Sequence, residues 1–206
     1  LRSDAELPAI LSAGSAASAP GSTQIEMMGF PAESAVTGPA DAERFLDWRV
    51  DNDADLIKII VEDPAATEVP ALSIESLAAL VEGAHARGLL TVAHVVTAAA
   101  FDRGLDAGVD VLTHAPLDRA LAPHTLERMR DQGTAVSPTL VMMRAMADAR
   151  LGDHADAAFA VALDNVRAML DTGITVIVGM TRAEAIRAVT SSAAEVWVAG
   201  VSRHRS

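Results

Sequence analysis

Residues 55–61, Asp55-Leu56-Ile57-Lys58-Ile59-Ile60-Val61, form a β-branched apolar run broken by a single cation, and the fold turns on how that run is read. At a side-chain period of two, Lys58 shares a face with Leu56 and Ile60, opposite Ile57 and Ile59. A cation in an apolar strand is costly unless it is paired, neutralised or chemically modified. A structural ion pair or a misread strand explains Lys58 as simply as a functional role does.

Working outward, the same kind of unit recurs. Ser73 is placed to cap a helix with Ile74, Leu77, Leu80 and Val81 at helical spacing and Gly88 at its end. A strand over Leu89–Val96 follows, then a helix over Ala98–Leu105, Gly108, and a strand over Val109–His114. The segment Thr125–Arg130 reads as a helix ending at Gly133, followed by a strand through Val136 to Leu140, a helix around Phe159–Leu170 and a strand Ile174–Val178. A last helix, Arg182–Val189, carries a capping box in Thr181 and Glu184. Upstream, Asp41–Val50 reads as an amphipathic helix and Ala9–Ala13 as a weak strand, with a long loop between them. Strands alternating with helices predict a parallel sheet in an α/β fold, here a (β/α)8 barrel. The chain has 206 residues, fewer than the roughly 250 of a complete barrel, so the barrel is expected to be incomplete.

His94 lies near the end of one strand and His114 at the end of the next, in the position Lys58 occupies on the first. In such barrels the carboxyl ends of the strands hold the active site, so Lys58, His94 and His114 converge on one rim. A lone strand histidine is more often a hydrogen-bonded core residue; three aligned strand ends favour a metal site, since imidazole suits zinc and related ions. An ammonium ligates only when deprotonated or carbamylated. His85, His124, His154 and His204 lie in polar surroundings and read as solvated or capping residues. Asp63 and Asp118 follow the first and third clear strands in loops on the same rim, where either could touch substrate or simply be solvated.

Composition restricts the function classes. The chain has no cysteine, which excludes disulfides and thiolate metal ligands. A net charge of −12 and only 3% aromatic residues, with no tyrosine, argue against nucleic acid and for a small-molecule substrate. No apolar run reaches the roughly 18–20 residues of a membrane span. The first residues make a poor secretory signal, because Asp4, Glu6 and Pro8 interrupt a short apolar stretch, so a cytoplasmic protein is expected.

At these residues the chain resembles the metal-dependent amidohydrolase superfamily, in its imidazolonepropionase-like branch that includes Xaa-Pro dipeptidases. Asp53-Ala54-Asp55-Leu56-Ile57-Lys58-Ile59 is similar to that family's fourth strand, Thr91-Val92-Ala93-His94 to its fifth and Gly108-Val109-Asp110-Val111-Leu112-Thr113-His114 to its sixth. Ser137-Pro138-Thr139-Leu140 resembles the seventh strand and Glu184–Thr190 the helix after the eighth, for a match over roughly residues 40–193. The resemblance implies two divalent metals, expected to be zinc. It makes Lys58 a bridging carbamate and His94 and His114 ligands of the more exposed ion. The implied activity is hydrolysis of an amide-type C–N bond, in a peptide-like or cyclic amide substrate, through a metal-bridged hydroxide.

The departures are equally specific. The family's first-strand His-x-His pair is absent, and Gly179-Met180 runs directly into Thr181-Arg182 where an Asp, ligand and general base, is expected. Val196–Val201 resembles the closing strand of the small β domain that flanks these barrels, giving a division into a partial barrel, 1–193, and a remnant of that domain, 194–206. The junctions at Met180–Thr181 and Ala194–Trp197 leave no residues for a loop, so the sequence is expected to be pieces of a longer protein joined there. Two rival functions stay open: a degenerate, non-catalytic barrel that binds or supports a partner, and a Schiff-base enzyme using Lys58. A homo-oligomer is compatible with either.

Overall fold

The computed structural model describes residues 11–66 and 68–177 and the backbone of a strand pair at 197–198 and 201–202. Short helix α1 (Thr23–Glu26) and helix α2 (Ala42–Asp51) precede β1 (Leu56–Ile60). Then follow α3 (Ile74–Ala86), β2 (Leu90–His94), α4 (Ala98–Asp106), β3 (Val111–Thr113), α5 (Pro123–Gln132), β4 (Ala135–Ser137), α6 (Leu140–Leu151) and α7 (Ala155–Asp171). The strands form one parallel sheet in the order β1-β2-β3-β4. Each edge is extended by a parallel bridge, Ala17 to Ile59 on one side and Val176 to Val136 on the other. This is the α/β arrangement expected, a barrel wall that is not closed among the described residues.

Alternation sets which face of the wall is dry. Ile57, Ile59, Ala93, Val95, Leu112 and Val136 face the helices and share one core with Phe45, Leu46, Leu77, Leu80, Phe101, Leu105 and Met129. Burying each large side chain of this kind contributes about 1.5–3 kcal/mol. A one-residue slip of β1 would drive Lys58 into that layer and expel Ile57 and Ile59, so the register is strongly specified. The opposite face carries Leu56, Lys58, Val92, His94, Thr113 and Ser137, all only partly buried.

Local chemistry ends the elements where the sequence suggests. The Ser73 hydroxyl accepts from Ser76 N at 3.1 Å, and the Thr97 hydroxyl accepts from Ala100 N at 3.1 Å, capping α3 and α4. Gly104 lets α4 lie close on β3, since a Cβ there would fall 2.9 Å from Leu112 Cδ2. Gly133 takes a left-handed conformation, φ 70°, and closes α5.

Two expectations differ from the structure. Leu140 begins α6 rather than ending a strand, because Thr139 turns the chain at φ 44°. Helix α6 escapes a periodicity reading: Val141 and Met142 are exposed while Met143 and Ala147 are buried, so the apolar stripe is blurred. Among the described residues the edge pairing upstream of β1 falls at Ala17 and Leu11–Ala13 carries no strand; Ala9 and Ile10 of the expected strand Ala9–Ala13 lie outside the described residues. Val178, the Arg182–Val189 helix, its Thr181–Glu184 cap and the two junctions also lie outside the described residues. β5 (Trp197–Val198) and β6 (Val201–Ser202) pair antiparallel.

The loop after β3 is held by one side chain of α7. Asn165 is 2% exposed; its Oδ1 accepts from Leu121 N at 2.8 Å, and its Nδ2 donates to the carbonyls of Pro116 (3.2 Å) and Arg119 (3.0 Å). Replacing Asn165 by Ala strands these backbone groups, and urea unfolding of the variant is expected to show a loss of about 2–4 kcal/mol.

Candidate metal centre

Parallel pairing brings the candidate residues to the same rim. Ile60 registers with His94, His94 with Thr113 and Thr113 with Ser137, so each strand ends at nearly the same level. Lys58 lies two residues back on β1, on the Leu56 and Ile60 face, and its Nζ donates to Thr113 Oγ1 at 2.9 Å. Thr113 therefore faces the barrel interior, and its hydroxyl passes the contact on by donating to the Ala93 carbonyl at 2.8 Å.

That placement creates a problem for His114. By strict alternation the residue after Thr113 points to the helices, away from His94. His114 instead adopts φ 82°, a conformation rare for a residue with a Cβ, and its ring lies against that of His94 with centroids 4.6 Å apart at 72°. His94 Nδ1 and His114 Nε2 are 2.8 Å apart, and His114 Nδ1 is 2.6 Å from Thr139 Oγ1. Backbone strain of this kind gathers where function constrains geometry.

The electrostatics of the cluster favour neutral groups. Burial lowers the Lys58 pKa from 10.5 to about 8. Burial, then the Lys58 charge, lowers His94 from 6.5 to about 4; burial, then His94 and Lys58, lowers His114 to about 3. Both imidazoles are thus unprotonated at neutral pH, the state a metal requires. Two nitrogens on one tetrahedral zinc lie roughly 3.3 Å apart, so the facing pair would open by roughly 0.5 Å to admit an ion. The donors fit a divalent cation to that extent. Among the described residues, no group of three or more His, Cys, Asp or Glu side chains gathers at one point.

The remaining candidates have other work. Asp63 is buried, accepting from Ala65 N at 3.0 Å and from Thr97 Oγ1 at 3.1 Å. Asp118 accepts from Ala98 N at 3.0 Å and pairs with Arg119 at 2.9 Å, so it caps α4 from the neighbouring loop. His85 meets Asp110 at 2.9 Å, at the start of β3 and far along the strand from His114; Asp110 also accepts from Thr91 N and Oγ1, both at 2.7 Å. His124 and His154 are exposed, and His204 lies outside the described residues. Sequence reasoning misses Thr113 and Thr139: strand alternation alone marks Thr113, and Thr139 reads as part of the strand Val136–Leu140.

No family model matches the chain, and no curated protein matches it. Solved structures do. A Xaa-Pro dipeptidase with bound methionine in its active site superposes with TM-score 0.67 at 22% identity, over 82% of this chain and 47% of the dipeptidase. Ochratoxinase from A. niger gives TM-score 0.70 at 17% identity, over 86% of this chain and 48% of the enzyme. An amidohydrolase gives TM-score 0.57 at 24% identity, over 69% of this chain and 37% of the other. The chain spans about half the length of the first two. Its fold is that of the amidohydrolase (β/α)8 barrels, present here in part.

Proposed function

We propose that this chain carries part of the active site of a metal-dependent hydrolase that cleaves an amide-type C–N bond in a small peptide-like or cyclic amide substrate. The observation that supports this most is the convergence of Lys58, His94 and His114 at one barrel rim, with two neutral imidazole nitrogens facing each other across 2.8 Å. His94 Nδ1 and His114 Nε2 would hold a divalent cation between them. Bound divalent metal, read as two zinc ions from the family resemblance, would lower the pKa of water and polarise the scissile carbonyl.

Lys58 has the chemistry its proposed role needs. With its pKa lowered to about 8, an appreciable fraction of the amine is neutral at mildly alkaline pH. The Nζ lone pair can then attack the carbon of CO2, forming an N–C bond and releasing a proton, which leaves a carbamate anion in place of a cation. Thr113, bonded to Nζ at 2.9 Å, holds the amine on the interior face while this occurs. The proton-transferring Asp implied by the resemblance has no counterpart after Met180.

The remaining readings concern the whole protein: a small-molecule or dipeptide-like substrate, a cytoplasmic setting, a homo-oligomer, and residues 194–206 as the remnant of a flanking β domain. The antiparallel pairing of β5 with β6 supports the last. No helix among the described residues is long and apolar enough to cross a membrane.

Metal analysis tests the core of the proposal. The intact protein is expected to retain zinc or a related divalent ion after exhaustive dialysis, and to hydrolyse members of a panel of dipeptides, acylated amino acids and cyclic amides. His94→Ala with His114→Ala should lower metal affinity by more than about 100-fold, beyond the loss of an outer partner, and abolish the activity. Unchanged metal content and turnover would sink the assignment.

Stability against pH supplies a second check, on metal-free protein. Above pH 6.5 the two imidazoles are neutral both folded and unfolded, and their burial carries no proton penalty. As pH falls from 6.5 through about 4 for His94 and about 3 for His114, the unfolded chain takes up protons that the folded state refuses, so stability is lost through that window. A His94→Gln, His114→Gln double variant should show a shallower decline in its urea midpoint over the same range, the difference isolating the pair from the carboxylates that titrate there too.

A further inference from the structure

Three of the helices that follow a strand, α3, α4 and α6, have a hydroxyl residue at the N-cap. Ser73 before α3 and Thr97 before α4 take extended backbone conformations, with ψ 160° and 158°, and each accepts a backbone N–H three residues on. Thr139 before α6 does neither. Its backbone is left-handed, φ 44° and ψ 44°, and its side chain makes no cap bond. A β-branched residue is among the least suited to that conformation, in which glycine or asparagine would sit freely. Helix α6 thus begins at a strained residue whose hydroxyl serves another partner.

That partner is His114 Nδ1, at 2.6 Å. His114 is itself left-handed, at φ 82°, and its N–H is tied to the Ser137 carbonyl at 2.8 Å, two residues before Thr139. One short side-chain hydrogen bond and one backbone hydrogen bond therefore join the ends of β3 and β4 at the two strained residues. A metal-ligating histidine needs its second ring nitrogen held, because that bond sets both the ring's orientation and which nitrogen keeps its lone pair.

We infer that Thr139 is a positioning residue for His114: its hydroxyl oxygen, withdrawn from capping α6, accepts the Nδ1 proton and leaves the Nε2 lone pair aimed toward His94. This rests on the proposed metal site for its purpose, but not for its geometry. The proton assignment has one alternative, with Thr139 donating to Nδ1 and His114 carrying its proton on Nε2. In that arrangement Nε2 donates to His94 Nδ1 and offers no lone pair toward His94.

The test uses the intact protein and three variants: Thr139→Ser, which keeps the hydroxyl; Thr139→Val, which keeps the branching and removes it; and Thr139→Gly, which removes it while relaxing the backbone. In metal-free protein, 15N NMR of the histidine rings reports the tautomer. Zinc affinity is read by competition with a chromogenic chelator, and thermal unfolding reports the fold. Wild type and Thr139→Ser are expected to show the Nδ1–H tautomer at His114 and similar zinc affinities. Thr139→Val and Thr139→Gly should lose the single tautomer and bind zinc about 10- to 100-fold more weakly. Thr139→Gly should do so with no fall in its metal-free melting temperature.

An Nε2–H tautomer in wild type would overturn the inference, as would unchanged zinc affinity in both Thr139→Val and Thr139→Gly. So would an affinity loss in Thr139→Ser equal to that in Thr139→Val, since the hydroxyl would then not be the cause. A wild type that binds no zinc would refute the proposed function, and the tautomer comparison in metal-free protein would still decide the role of Thr139.

Discussion

The register of the parallel sheet is the constraint on which the site depends. It is set by the dry face, where Ile57, Ile59, Ala93, Val95, Leu112 and Val136 pack on the helices. Among the described residues the polar face has no comparable packing to define it. Lys58, His94 and Thr113 sit where they do because their neighbours one residue away are held in the core. The polar groups therefore inherit their positions, which is how a desolvated amine and two desolvated imidazoles can be kept close together. Left to itself, such a cluster would separate or fill with water, since burying each group disfavours its charged form.

Alternation alone would not suffice, because it supplies one inward residue at each level of each strand. On β3 the inward residue is Thr113, already engaged with Lys58. A second inward residue from the same strand end requires the backbone to break the alternation, and His114 does this through its positive φ. Asp53 is also left-handed, at φ 57°, but it lies in the turn before β1, where Asp tolerates that conformation and no site contact depends on it. The distinction matters for reading strain as function. At His114 and Thr139 the unfavourable backbone is coupled to a specific side-chain contact, whereas at Asp53 it only turns the chain.

How much of this was legible in the sequence follows from the same physics. The strand over 55–61, the Ser73 cap and the helices after β1, β2 and β3 were readable because period and capping chemistry agreed. The convergence of Lys58, His94 and His114 was readable because each stands at a strand end in a repeating unit. Helix α6 was hidden by Val141 and Met142, exposed apolar residues that make a helix look like the continuation of a strand. Thr139 was hidden because it reads as part of the strand Val136–Leu140, where no helix start is expected. The roles of Asp63 and Asp118 were undecidable in sequence, since a loop carboxylate at a rim reads the same whether it meets substrate or a backbone N–H.

Their structural use bears on the chemistry of the rim. Asp63 receives the Thr97 hydroxyl, which at the same time caps α4, and Asp118 caps α4 again from the loop after β3. Asn165 then fixes that loop to α7. The loops after β1 and β3 are thus tied to one helix start between them, and the β3 loop to α7 beyond. A carboxylate committed to backbone and hydroxyl donors is held in place, so these two serve the frame of the rim. The described rim supplies a stiff frame around Lys58, His94 and His114.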